Sequence, residues 1–184
     1  MFASLKQKIT PYLPTSWWQW IGGLLLQLVI AITIFQAVSY WRESSLLDAD
    51  GSVTLPAFHL QSLEGMPFSS EQLKDKKTVV YFFAPWCQVC HVSIGNLQTL
   101  YNQHQDDDDL NVIAIALDFS TKQEVAEFVA NKNLTFPILL GNYNLGAQFN
   151  IRAFPTYYTT DEAQRITGKS LGYSSFAGLA MRVL

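Results

Sequence analysis

Apolar and polar residues are distributed along this chain in two distinct ways. From Ile9 to Trp41 no charged residue occurs, and Trp17 to Val38 reads WWQWIGGLLLQLVIAITIFQAV, 22 residues broken only by Gln19, Gln27 and Gln36. A helix of that length spans a hydrocarbon layer of roughly 30 Å. Trp17, Trp18 and Trp20 at one end and Tyr40 and Trp41 at the other form aromatic belts of the kind that sit at membrane interfaces. Beyond Trp41 the apolar residues come in short runs separated by polar ones, the pattern of a folded domain.

Within that second part, Thr78 to Leu100 is the organising stretch. Val79 to Ala84 is an apolar, β-branched and aromatic run, the pattern of a buried strand; a Pro-Trp-Cys step follows, and helical spacing then continues to Leu100. Before it, Leu55 to Phe68 alternates around Glu64-Gly65, which predicts a β-hairpin, and Ser69 caps a short helix ended by Lys74 to Lys77. After it, Asn111 to Asp118 is continuously apolar, which predicts a strand covered on both faces and parallel to its neighbours. Ser120-Thr121 opens a helix through Asn131 with Val125, Phe128 and Val129 inward. A strand over 136–140, a short helix over 145–149, a strand over 154–159, its hairpin partner over 165–171 and a closing helix over 174–183 complete the order. Alternating strands and helices predict an α/β fold with a mixed central sheet flanked by helices. The domain scheme is a short N-terminus (1–16), a transmembrane anchor (17–41), a polar linker (42–54) and one domain (55–184).

Charge adds direction. Lys6 and Lys8 precede the apolar segment, and the positive-inside tendency places that side in the cytoplasm. A cleaved signal peptide, with Ala37-Val38-Ser39 as its small-residue site, is the alternative; the apolar run exceeds the usual h-region of about 7–15 residues, which favours a retained anchor. The domain then lies outside the cytoplasm, in a bacterial periplasm. From Glu43 onward 9 Lys/Arg stand against 15 Asp/Glu, so nothing basic points to nucleic acid. Four of the acids, Asp106 to Asp109, form a run without calcium-loop spacing, expected as a solvated loop tip.

The chemistry is concentrated in two cysteines, Cys87 and Cys90, the only ones in the chain. A C-x-x-C pair at a helix start, directly after a strand, reads as a thiol–disulfide redox site. Residues at i and i+3 share one helix face, and a helix N-terminus favours thiolate at Cys87, the form that attacks disulfides. Cys90, one turn inward, is placed to resolve the mixed disulfide. Three other readings remain. A structural disulfide closing so short a loop would add little stability. A zinc site lacks partners, because His59, His91 and His104 show no ligand spacing. Cys87-Gln88-Val89-Cys90-His91 also fits C-x-x-C-H, the c-type haem attachment pattern, with Met66, Met181 or another His as the conceivable distal ligand. The redox pair needs no cofactor or metal. A second segment, Phe154-Pro155-Thr156, opens a strand; a cis peptide there would turn the backbone flanking Pro155 toward the reactive sulfur, where an extended partner segment could pair with it.

Residues 55–184 resemble the thioredoxin superfamily, and within it the membrane-anchored periplasmic proteins of the TlpA, ResA, DsbE and ScsD kind. The residues that carry this are Leu55-Pro56-Ala57-Phe58 with Glu64-Gly65, then Phe82-Phe83-Ala84-Pro85-Trp86-Cys87-Gln88-Val89-Cys90, then Phe154-Pro155-Thr156. The strand–helix insertion near 136–150 fits the same branch. The resemblance implies a thioredoxin-like fold, Cys87 as attacking and Cys90 as resolving cysteine, and Pro155 as a cis-proline. It also implies that Trp86 shapes the surface beside the sulfur, and the residues expected to contact a partner are Trp86, Phe154, Pro155 and Thr156. Members of this branch commonly act as reductants, taking electrons from a transmembrane donor and passing them to disulfides of periplasmic proteins. Two departures stand out. The buried acid that thioredoxins carry six residues before the first cysteine is here Tyr81, and the dipeptide between the cysteines is Gln88-Val89. A peroxidase of the related peroxiredoxin type is disfavoured, since Ala84 stands where its threonine would be.

Overall fold

The computed structural model describes residues 17–104 and 110–183, which divide into two units between Trp41 and Arg42. Within the first lies most of helix α1 (Trp17–Glu43), whose Leu24, Leu25, Leu26, Ile34 and Phe35 are all exposed. Such a helix has no polar face to turn to water, and it is long and apolar enough over Trp20–Ser39 to cross a membrane. Its one hydroxyl at mid-length is satisfied internally, Thr33 donating to the Val29 carbonyl at 2.8 Å. The N-terminal residues 1–16, the side chains of Trp17, Trp18 and Tyr40, and the run Asp106 to Asp109 lie outside what is described.

The second unit is a seven-stranded sheet with helices on both faces. Its strands are β1 (His59–Ser62), β2 (Pro67–Ser69), β3 (Lys77–Phe83), β4 (Leu110–Ala116), β5 (Ile138–Leu140), β6 (Thr156–Thr160) and β7 (Ile166–Leu171). Their order across the sheet is β2-β1-β5-β4-β3-β6-β7. β3, β4 and β5 are parallel, and the remaining pairs are antiparallel. The helices are α2 (Gln88–His104), α3 (Lys122–Asn131), α4 (Tyr143–Gln148) and α5 (Phe176–Val183), with a single 3₁₀ turn at Ser70–Leu73. This is the mixed α/β sheet that the alternation of patterns predicts and the thioredoxin-like arrangement that the resemblance implies, with the N-terminal hairpin and the β5–α4 insertion in place.

Local chemistry explains the boundaries. The β1–β2 hairpin reverses at Gly65, whose φ of 90° is one that a glycine adopts without a Cβ clash. Ser69, Thr121 and Asn142 each accept a backbone N–H at the start of the helical segment that follows. β3 and β4 are central and sandwiched, so their side chains are buried on both sides. Val79, Tyr81 and Phe83 face one way, beside Ile94, Leu97 and Leu100 of α2, Phe128 of α3 and Leu179 of α5. Val80 and Phe82 face the other, among Phe58, Leu139, Phe149, Tyr158 and Ile166.

The segment expected as a linker, 42–54, is tied to the domain along part of its length. Leu46 is buried in the second cluster, Gly51 donates to the Ile166 carbonyl at 2.9 Å, and Ile166 donates to Val53 at 2.8 Å. Its polar composition conceals one buried leucine and a stretch of backbone pairing beside β7.

Candidate active site

Strand β3 delivers its chain to the site. Immediately after Phe83, Leu117 N–H bonds the Phe83 carbonyl at 2.8 Å, locking the end of β3 to the end of β4. The chain then turns through Ala84-Pro85-Trp86, closed by Cys87 N–H donating to the Ala84 carbonyl at 3.0 Å. Helix α2 begins at Gln88, and Cys87 stands just before it. The sulfur of Cys87 accepts the backbone N–H of Cys90 at 3.2 Å, so a thiol occupies the capping position that an oxygen holds elsewhere. Both cysteines are free thiols, Cys87 slightly accessible at 5% and Cys90 wholly enclosed. Burial pushes the Cys90 thiol well above its ordinary range, and its hydrogen bond with Cys87 adds to this.

Topology brings the second segment to the first. Because β6 pairs antiparallel with β3 and Thr156 lies opposite Phe82, the residues before Thr156 emerge beside the cysteine turn. The Phe154–Pro155 peptide is cis. The Pro155 carbonyl is taken by Gly172 N–H at 2.8 Å, so the backbone left open at the surface is that preceding the proline. Thr156 is fully buried and its hydroxyl donates to the Ala153 carbonyl at 2.8 Å; it holds the loop's shape and presents no side chain at the surface. Trp86, 57% exposed, stands edge-on to Phe154 with ring centres 5.9 Å apart. Its indole N–H is shared between the Asp118 carbonyl at 2.9 Å and the Asp118 carboxylate at 3.2 Å. Trp86, next to Cys87 in the chain, is thus in ring contact with Phe154, Pro155 follows at the cis peptide, and Thr156 supports the loop from beneath.

Three features were not found from the sequence. Asp118, at the end of β4, fixes the orientation of Trp86. A groove of about 620 Å³ opens beside Phe154, lined by Leu117, Asp118, Gly141, Ala147 and Ile151 among others. Ser93 is the third, a polar residue on the buried stripe of α2 that runs Cys90, Ser93, Ile94, Leu97, Leu100. That stripe is legible in the sequence, and a serine on it signals a buried partner. The partner is Tyr81, whose hydroxyl lies 2.6 Å from that of Ser93. Where the thioredoxin pattern has an acid, this chain has a neutral phenol, held neutral by its burial. His91 does not offer a free imidazole: its Nε2 lies 2.9 Å from the Pro85 carbonyl and its ring packs edge-on against Phe128. Met66 and Met181 are exposed residues of the β1–β2 turn and of α5. Among the described residues no cluster of His, Cys, Asp and Glu could hold a metal ion.

With this geometry in view, the match to known proteins is direct. Residues 52–169 fit the AhpC/TSA family. The chain belongs to that family. Among its relatives, the thioredoxin-like protein YneN of Bacillus subtilis is 29% identical over 146 residues, 78% of this chain and 84% of that protein. The sporulation thiol-disulfide oxidoreductase A of the same organism is 24% identical over 147 residues, 79% of this chain and 88% of that protein. A solved structure of a thioredoxin-family thiol:disulfide interchange protein from Chlorobium tepidum superposes with a TM-score of 0.65 at 25% identity, covering 71% of this chain and 93% of its own. The fold is thioredoxin-like, and the chain's class within the family is that of the thiol–disulfide oxidoreductases.

Proposed function

We propose that Cys87 and Cys90 are the redox pair of a membrane-anchored thiol–disulfide oxidoreductase whose domain faces the periplasm and reduces disulfides of partner proteins. In the reductive half-cycle Cys87 thiolate attacks a partner disulfide, forming a mixed disulfide and releasing one partner sulfur. Cys90 then attacks Cys87, forming the Cys87–Cys90 disulfide and releasing the second sulfur as a thiol. Two electrons have moved to the partner, and a transmembrane donor restores the dithiol. The observation that carries this reading is the Cys87 sulfur at the helix start, accepting the Cys90 N–H, on a surface bounded by Trp86, Phe154 and Pro155. The apolar helix α1 supports the anchor, and Lys6 and Lys8 support a cytoplasmic N-terminal side.

The decisive test is the Cys87→Ser variant of the full chain in detergent, assayed for reduction of insulin disulfides by an added dithiol. Activity falls to background; retention of wild-type activity removes Cys87 from its role. Direction is read from the reduction potential of the pair. A value near that of thioredoxin, about −270 mV, fits a reductant, whereas one near about −120 mV makes the protein an oxidant that installs disulfides. Engagement of His91 with Pro85 and Phe128 weighs against the c-type haem alternative.

A further inference from the structure

The resolving cysteine presents a physical difficulty. Cys90 must become a thiolate to attack, yet it sits in a dry cluster where charge is disfavoured. Neither helix α2 nor strand β3 brings a carboxylate to it, since neither contains an Asp or Glu, and the cluster it shares includes Tyr81, Phe83 and Ile94. Other titratable or charged groups on this side of the sheet include Cys87, Tyr157 on β6 with Arg182 of α5 bonded to its hydroxyl at 2.7 Å, Tyr101 of α2, which stands edge-on to Phe136, and His91, which is turned to Phe128.

Tyr81 and Ser93 are both almost wholly buried, and their hydroxyls are 2.6 Å apart. Ser93 lies one helical turn beyond Cys90 on the same inward stripe, and Tyr81 and Cys90 belong to the same buried cluster. Burial is the main influence raising the Cys90 thiol, and the Tyr81 hydroxyl acts in the opposite sense, favouring the thiolate. Each hydroxyl has one proton. When Ser93 donates to the Tyr81 oxygen, the Tyr81 proton is free to point at sulfur.

We propose that Tyr81 and Ser93 form a hydroxyl relay, Ser93 to Tyr81 to Cys90, that stabilises the resolving thiolate in place of a buried acid. The relay itself takes up no proton. In the resolving step the Cys90 S–H bond and the Cys87–partner S–S bond break, the Cys87–Cys90 bond forms, and the Cys90 proton ends on the departing sulfur. Tyr81 stays protonated throughout, consistent with a phenol whose own ionisation burial suppresses. This rests on the redox reading of the cysteine pair and specifies how its second step is made possible.

The test separates the two steps. The full chain in detergent, reduced, is mixed with dithiobis(nitrobenzoate), whose first coloured thiolate reports attack by Cys87 and whose second reports resolution by Cys90. Tyr81→Phe keeps the ring and removes the donor. It slows the second phase about tenfold near neutral pH, as loss of a hydrogen bond to a charged group does, and moves the rise of that phase to higher pH. The first phase stays within about twofold, because Cys87 has its own donor. Ser93→Ala shifts the second phase the same way by a smaller factor and decides the matter if Tyr81→Phe fails to fold. Wild-type second phases in both variants, or equal slowing of both phases, overturn the relay. Failure of the wild-type chain to release either thiolate overturns the redox reading itself.

Discussion

The two faces of the sheet use the same residue types for opposite purposes. Tyr81 and Phe82 are neighbours on β3, both aromatic, both fully enclosed, and they point to opposite sides. Phe82 enters an aromatic cluster in which Phe149 lies 4.9 Å away ring to ring, with Phe58 and Tyr158 next to Phe149. The only phenol among those rings, Tyr158, is spent on structure: it donates to the Phe149 carbonyl at 2.7 Å and accepts from Leu47 N–H at 3.2 Å, with burial pushing its pKa up to about 12. Tyr81 instead shares its hydroxyl with Ser93 beside a thiol. On one face the buried phenol closes on the backbone; the other keeps hydroxyls and sulfur together under α2. Stability and chemistry are thereby assigned to different faces of one strand.

The sharpest way to break that comparison is to damage the distal face alone. Phe149→Ala removes a ring from the centre of the aromatic cluster and should lower stability by about 3–5 kcal/mol, read from denaturant midpoints. Disulfide exchange per folded molecule should be unchanged; a parallel loss of exchange would show that the faces are coupled. Tyr158→Phe leaves the Phe149 carbonyl and the Leu47 N–H without their partner and should cost about 1–3 kcal/mol, again without effect on exchange. Thr121→Ala, at the cap of α3, should cost about 1 kcal/mol and serves as a control that unsettles the cysteine side of the sheet without touching sulfur.

The smallest effect at neutral pH belongs to Cys90, and it grows on the alkaline side. Its thiol is raised above the ordinary value of 9.0 in the folded chain. Below that value both folded and unfolded chains hold the proton, and stability is independent of this group. Above it the unfolded chain loses the proton while the folded chain retains it, so stability falls as pH rises. Unfolding of the reduced chain followed from neutral to alkaline pH should show this fall, and Cys90→Ala should flatten it. Tyr81, raised in the same direction, contributes a further decline that begins above 10.0 and survives in that variant. A wild-type curve that matches Cys90→Ala throughout would mean that Cys90 is not a suppressed thiol.

Much of this was legible because the relevant forces are local. The alternation in 55–68 with Gly65, the uninterrupted apolar runs of β3 and β4, and the caps at Ser69 and Thr121 each express a backbone requirement within a few residues. The helix start at Cys87 follows from the same kind of signal. The polar stretch 42–54 misleads because a single buried leucine among polar residues cannot outweigh them in a pattern, although it anchors the segment. Thr156 looked like a surface contact because it follows the proline; strand direction sends its side chain inward instead.

By itself the sequence determined the apolar helix, the order of strands and helices, and the cysteine pair at a helix start, since each depends on periodicity or spacing between near neighbours. Only the tertiary structure decided that Asp118 holds Trp86, that β6 brings the Phe154–Pro155 segment to the end of β3, and that Ser93 meets Tyr81. Those contacts arise from strand register and helix docking, and residues far apart in sequence meet there because burying the apolar faces of β3 and α2 leaves them no other place.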